Sequence, residues 1–278
     1  LRTDIAIDFL NKKEDESPFF LFMSYRAPHS FEGPIRDTLL YADKRWPEIE
    51  RVHAAKITLL DKQVGRLLEK LKEINQLDNT LILFTSDNGP HYAKDGHELE
   101  FFDSNGQFKG GKRDLYEGGI RVPLIAYWDQ NILPGSVSNH VSSFQDIMPT
   151  FSEIIGFENV HDTDGISFLP TLLSKRQKKH KFLNWEFQLS GWFQTIPNGG
   201  FRQSVRLENW KAVRYNLNSD IELYNLKNDP GETKNIAKLH PNIINQVDSI
   251  FKISRTDATG FPYGGVKQDY KSMDVYDF

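Results

Sequence analysis

Two kinds of apolar pattern alternate along the first half of this chain. Between residues 50 and 74 the positions Val52, Leu60, Val64, Leu67, Leu68, Leu71 and Ile74 fall at three- and four-residue spacing, which predicts a long amphipathic helix with one buried stripe. On either side the pattern is a continuous apolar run: Pro18-Phe19-Phe20-Leu21-Phe22-Met23-Ser24-Tyr25 before it and Thr80-Leu81-Ile82-Leu83-Phe84 after it. Such runs, bounded by turn residues, predict inner strands of a sheet covered on both faces, and strand, helix, strand in succession predicts a parallel βαβ crossover. Residues 124–128 predict a third inner strand, residues 1–11 the end of a helix, and residues 143–151 a helix with a Ser/Asp-rich first turn.

The pattern changes beyond the basic stretch at 175–181. Short half-exposed strands are predicted at 182–187, 203–207, 210–215 and 221–225, separated by Gly, Asn and Asp turns, with one further helix at 241–251. Residues 31–47 read as loop, and everything after Arg255 as a Gly-, Asp- and Tyr-rich wrap over the surface. The expected fold class is therefore α/β, with a catalytic-type domain over 1–178 and a smaller antiparallel subdomain over 179–278.

Composition narrows the function classes. The net charge of −4 and pI near 6.1 supply no overall basic field, which disfavours nonspecific nucleic-acid binding. There is no cysteine, so disulfides, thiolate metal sites and a cysteine nucleophile are excluded within these 278 residues. No run of 18 apolar residues predicts a membrane span. The chain opens at Leu1-Arg2-Thr3 with neither initiator Met nor signal peptide, and is expected to be a piece that begins partway through something longer.

Candidate chemistry sits just past the predicted strands. After the 80–84 run come Thr85-Ser86-Asp87-Asn88-Gly89-Pro90. Asp87 offers a carboxylate and Asn88 an amide carbonyl, hard oxygens of the kind Ca²⁺ or Mg²⁺ takes, although Asp-Asn-Gly is also an ordinary turn. His29 follows the 18–25 run in the same way, through Arg26-Ala27-Pro28. Residues 104–123 follow, and within that stretch the fifteen positions 107–121 combine four glycines with Lys109, Lys112, Arg113 and Arg121, a loop in which backbone and cations can approach an anion closely. A solvated basic loop would look similar, and the spacing is not that of a P-loop. Asp162-Thr163-Asp164-Gly165 lacks the later ligand positions of an EF-hand and reads as a turn.

Taken in order, five segments resemble the formylglycine-dependent sulfatases: Pro18-Phe19-Phe20-Leu21 leading to Ala27-Pro28-His29, Phe84-Thr85-Ser86-Asp87-Asn88-Gly89-Pro90, Gly111-Lys112 leading to Tyr116-Glu117-Gly118-Gly119-Ile120-Arg121-Val122-Pro123, Asp164-Gly165-Ile166-Ser167-Phe168-Leu169-Pro170, and Glu222-Leu223-Tyr224-Asn225 leading to Asp229-Pro230-Gly231-Glu232. The resemblance implies an alkaline-phosphatase-like fold with an incomplete central sheet, Ca²⁺ held by Asp87 and Asn88, and His29 and Lys112 as catalytic residues on the sulfate ester. His91, His97, Asn105 and Arg121 lie in the same loops as candidates to contact a sulfated mono-, oligo- or polysaccharide, with Arg121 alternatively paired to Glu117. It further implies export to the periplasm or exterior. The family's Cys/Ser-x-Pro/Ala-x-Arg nucleophile motif and its N-terminal Asp-Asp pair are absent, so the formylglycine is expected on an upstream segment outside this chain. A phosphate-ester hydrolase of the same superfamily and a non-catalytic glycan-binding remnant are the competing readings.

Overall fold

The computed structural model describes residues 2–12, 17–29, 40–91, 97–157, 163–188, 200–256, 258 and 263–264. The loop expected at 31–39, Asp162 and nearly all of the wrap expected after Arg255 lie outside them.

Helix α1 (Arg2–Asn11) buries Thr3, Ala6 and Leu10, and lies against α2 (Glu48–Glu73). The long helix is the one the spacing predicts. Glu48 and Glu50 occupy its first turn and Lys70 and Lys72 its last, the arrangement that complements the helix dipole. Arg66 of α2 donates to Asp4 of α1 at 2.7 Å.

Strand β1 (Ile82–Thr85) follows, and here the expected βαβ crossover does not form. β1 pairs antiparallel with β2 (Leu124–Tyr127), Ile82 opposite Tyr127 and Thr85 opposite Leu124, in a two-stranded sheet. Residues 17–26 form no strand; Phe20 and Phe22 are 72% and 79% exposed. Nor are β1 and β2 inner strands, since Ile125 is 61% exposed. An apolar run reports that a segment can be covered on both faces, whereas pairing needs a neighbouring strand, and none among the described residues lies beside 17–26. That segment is held by side chains instead. Phe19 packs edge-on to Phe9 of α1, the Tyr25 hydroxyl lies 3.0 Å from that of Thr3, and Phe20 packs edge-on to Phe151.

Between β1 and β2 lies the short helix α3 (Glu117–Ile120), and after β2 come α4 (Ile147–Ile154) and α5 (Leu169–Leu172). α4 is entered through a reciprocal capping box between Ser143 and Asp146, as the Ser/Asp-rich turn predicts. Asp146 is fully buried and also accepts from the Ile166 amide and contacts His180 at 2.9 Å.

The C-terminal sheet matches expectation in its strands and antiparallel pairing but not in its expected half-exposure: β3 (Leu183–Gln188), β4 (Phe201–Leu207), β5 (Trp210–Arg214) and β6 (Glu222–Asn225) form an antiparallel meander in sequence order. Period-two alternation gives it two covered faces. Val205, Ala212 and Leu223 sit opposite one another across β4, β5 and β6 and pack on Val247, Ile250 and Phe251 of α6 (Pro241–Ile253). The other face presents Val213 and Tyr224 to Leu115 and Tyr116 of the glycine-rich loop. The sheet thus serves as the floor under that loop.

No helix among the described residues is long and apolar enough to cross a membrane.

Candidate active site

Three segments meet at one place. The Asp87-Asn88-Gly89-Pro90 turn is laced to the glycine-rich loop through main-chain bonds: Gly89 N–H to Gly119 O at 2.9 Å and Lys112 N–H to Pro90 O at 2.7 Å. Contact this close requires glycine. A Cβ on Gly89 would lie 1.8 Å from the Gly118 carbonyl oxygen, and one on Gly118 would lie 2.2 Å from that of Gly110. The third segment ends at His29, whose amide closes a turn on Arg26 O at 2.8 Å and whose carbonyl accepts from the buried Lys56 ammonium of α2 at 2.9 Å.

These contacts bring His29, His91, Lys112 and Arg113 together beside Asp87. The His29 and His91 rings are 6.4 Å apart between centroids, and Arg113 Nη1 lies 3.0 Å from His91 Nε2. Burial, then the charges of Lys112 and Arg26, hold His29 below its ordinary pKa, with Asp87 pulling the other way. His91 is likewise lowered by burial and by Arg113 and Lys112. Burial first and the neighbouring cations second lower both imidazoles, and in this cluster Asp87 is the carboxylate that opposes the shift at His29.

Asn88 spends its amide N–H₂ on Gly89 O at 2.8 Å, leaving Oδ1 as the acceptor of that side chain, next to the exposed Asp87 carboxylate. The donor chemistry fits a hard divalent cation. Among the described residues no group of three or more His, Cys, Asp or Glu could hold a metal, so Asp87 and Asn88 would be a partial ligand set.

The other expected residues are placed differently. His97 is buried, with Nδ1 at 2.5 Å from Glu50 Oε2 and Nε2 at 2.5 Å from Ser104 Oγ, tying the loop to α2. His53 stacks on it at 3.9 Å, and burial pushes the His53 pKa down to about 4. Asn105 donates to Phe108 O and Gly110 O, bracing the loop. Arg121 lies over the Phe108 ring and 3.6 Å from Glu117, the alternative pairing its position allowed.

What holds the loop from below was invisible in the sequence. Glu117 receives Lys211 at 3.1 Å and Arg206 at 3.2 Å, and its amide donates to Glu232 Oε2 at 2.7 Å. Arg202 of β4 donates to Arg113 O at 2.7 Å and to Asp114 Oδ1 at 2.9 Å. Lys211 is completely buried, and desolvation lowers its pKa against the pull of Glu117. Glu232 is pushed up to about 7 by burial.

The sulfatase family model matches residues 2–157, more than half of the chain. The chain belongs to the sulfatase family. The model of the C-terminal region of N-sulphoglucosamine sulphohydrolase matches residues 104–253, from the glycine-rich loop through α6. Among relatives, the uncharacterized sulfatase YdeN of Escherichia coli is 29% identical over 298 residues, covering 96% of this chain and 52% of that protein. Human N-acetylgalactosamine-6-sulfatase is 29% identical, with 82% of this chain and 46% of that protein covered. Among solved structures, Ps i-CgsB in complex with k-i-k-neocarrahexaose superposes with a TM-score of 0.76 at 25% identity, covering 95% of this chain and 56% of that one. The chain spans about half the length of the relatives it matches, and the fold is the alkaline-phosphatase-like fold of these sulfatases.

Proposed function

We propose that the protein carrying this chain hydrolyses sulfate esters of carbohydrates, with this chain supplying the part of the site that grips the sulfate. The observation that carries the reading is the convergence of Lys112, Arg113, His29 and His91 beside the hard oxygens of Asp87 and Asn88. A sulfate monoester carries a negative charge, and its leaving oxygen gains charge as the S–O bond breaks. Lys112 offsets the first, by electrostatic stabilisation of the kind that often dominates such reactions. His29 takes the acid role at the leaving oxygen once the bound anion, between it and Lys112, raises its proton affinity. Asp87 and Asn88 would hold Ca²⁺ together with ligands from outside the chain, and the ion, when bound, supplies fixed positive charge against the developing negative charge. The formylglycine nucleophile belongs, in this proposal, to a segment outside the chain. His91 and Arg121 are the loop residues assigned to the sugar, while His97 and Asn105 keep the loop in shape.

A sulfated carbohydrate is supported by the relative named N-acetylgalactosamine-6-sulfatase and by the neocarrahexaose bound to the structural neighbour. Location outside the cytoplasm follows from the family resemblance and is part of the proposal. The test is release of inorganic sulfate from 6-O-sulfated N-acetylgalactosamine and sulfated galactan oligosaccharides by the intact protein, beside phosphate release from an aryl phosphate. Sulfate release is expected to dominate and to fall about 10²–10⁴-fold in Lys112→Ala or His29→Ala. Dominant phosphate release would make the protein a phosphate-ester hydrolase. Retention of sulfated glycan with turnover of neither ester would make it a glycan-binding protein.

A further inference from the structure

The basic stretch at 175–181 takes no part in the site above, and the structure sorts its residues into two groups. Lys175, Arg176, Lys178, Lys179 and Lys181 are exposed, whereas Gln177 and His180 bond inward. Gln177 Oε1 accepts from the Thr171 amide at 3.0 Å and the Thr171 hydroxyl at 2.9 Å, and its Nε2 donates to Ser167 O at 2.8 Å. His180 Nε2 meets the fully buried Asp146 carboxylate at 2.9 Å. Ahead of them the Lys175 amide donates to Pro170 O at 2.7 Å. The two residues that are neither Lys nor Arg thus fasten the strip to α5 and to the start of α4, and the cations between them stand outward. A charge run that is merely solvated needs no such anchors.

The five cations are also uncompensated. No Asp or Glu occurs between Asp164 and Glu186, and among the described residues none of the five side chains makes an ion pair or a hydrogen bond. Like charges held this close repel one another, and in a chain of net charge −4 they form a local positive patch. A polyanion would relieve that repulsion. Seven residues extend at most about 25 Å, enough to lie along several rings of a sugar chain. Four of the five cations are Lys, whose ammonium meets an anion as a point charge on a flexible stem. With one Arg and no Phe, Tyr or Trp, the strip lacks the groups that read or stack on bases, and it has no apolar side chain to enter a bilayer.

We propose that the 175–181 strip is a docking site for a sulfated polysaccharide, holding sulfates on rings other than the one being hydrolysed. The identity of the polyanion rests on the sulfatase reading above; the anion-binding strip does not. Because the strip shares no residue with the His29 and Lys112 cluster, it adds affinity for a chain and none for a single sugar.

The experiment compares intact wild type with a variant carrying Lys175→Gln, Arg176→Gln, Lys178→Gln, Lys179→Gln and Lys181→Gln, and with a second carrying Lys175→Arg, Lys178→Arg, Lys179→Arg and Lys181→Arg. These side chains hold no partner, so both variants should keep the wild-type melting temperature. The probes for calorimetric titration are a sulfated galactan polymer, the same polymer desulfated, and duplex DNA. Wild type should bind the sulfated polymer and not the desulfated one. The Gln variant should bind it about tenfold more weakly and the Arg variant within about threefold of wild type, and the difference should vanish near about 1 M salt. In turnover, KM for the polymer should rise about tenfold in the Gln variant at unchanged kcat, with sulfate release from 6-O-sulfated N-acetylgalactosamine unchanged. Equal affinity of wild type and the Gln variant for the sulfated polymer overturns the proposal, as does an equal loss on the single sugar. Duplex DNA bound as tightly as the sulfated polymer, and weakened as much by the substitutions, overturns it in favour of a nucleic-acid site. A lowered melting temperature with polymer affinity unchanged overturns it in favour of an acidic partner within the same protein. If polymer binding follows the strip while no sulfate is released from any ester, the docking site stands and only the sulfatase reading falls.

Discussion

The two sheets of this chain are made of similar apolar runs and come out differently. In the C-terminal meander Val205, Ala212, Val213 and Leu223 are completely buried between α6 and the glycine-rich loop. In the β1–β2 pair Phe84, Leu124, Ile125 and Tyr127 remain 38–61% exposed. The C-terminal sheet closes locally, because each strand's partner is the next one in sequence and α6 follows at once. The β1–β2 pair closes across the 38 residues from Ser86 to Pro123, which include the glycine-rich loop, and most of its apolar side chains stay partly exposed. Burial, then, is not a property of the run but of what the chain delivers beside it.

The largest effect that should separate the two regions is removal of the buried cation. Lys211→Met takes the fully buried cation from Glu117 and leaves Arg206 as its nearest remaining one, and chemical denaturation should show a loss of about 3–5 kcal/mol, much of it restored by adding Glu117→Gln. Next, Leu223→Ala should cost about 2–5 kcal/mol, whereas Ile125→Ala should stay within about 0.5 kcal/mol; equal costs would erase the contrast between the sheets.

Glu232 sharpens the comparison through pH. Its carboxyl titrates near the usual carboxylate value when unfolded and about 7 when folded, so the folded state takes up a proton in that window. Its contribution is present in full at low pH and lost as pH rises through 7. Glu232→Gln should therefore gain melting temperature relative to wild type between pH 5 and pH 8, and a constant gap across that range would contradict the assigned shift. The smallest effect belongs to the loop's outer rim: Arg121→Ala, breaking a half-exposed 3.6 Å pair, should change stability by at most about 1 kcal/mol.

Much of this was readable in order along the chain. The α2 helix, the Ser143–Asp146 cap and the pairing of the four C-terminal strands are local patterns, and the structure follows them, although of the stripe expected to be buried on α2 only Leu71 is buried and Leu68 is exposed. Residues 18–25 misled because a continuous apolar run carries no information about its neighbours. The His29, Asp87, Asn88 and Lys112 cluster was legible only through ordered motifs, since no spacing rule predicts that 29, 87 and 112 meet. The pairings that brace the loop also act over long separations that no local pattern reports: Glu232 on Glu117, Arg202 on Arg113, Glu50 on His97. Lys211 and Arg202 even invert the local expectation, because charged residues within short half-exposed strands read as solvent-facing and both are buried. The one available hint for Arg113 was the pairing of two cations among close-set glycines.

In the proposed function the C-terminal sheet holds the loop that would grip sulfate in its working shape. The most direct test is a calorimetric titration of inorganic sulfate into intact wild type and Arg202→Met, with circular dichroism confirming that the variant is folded. Arg202 reaches the loop through the Arg113 carbonyl and Asp114. Sulfate affinity about tenfold weaker in the folded variant is the predicted result; affinity equal to wild type would contradict the account.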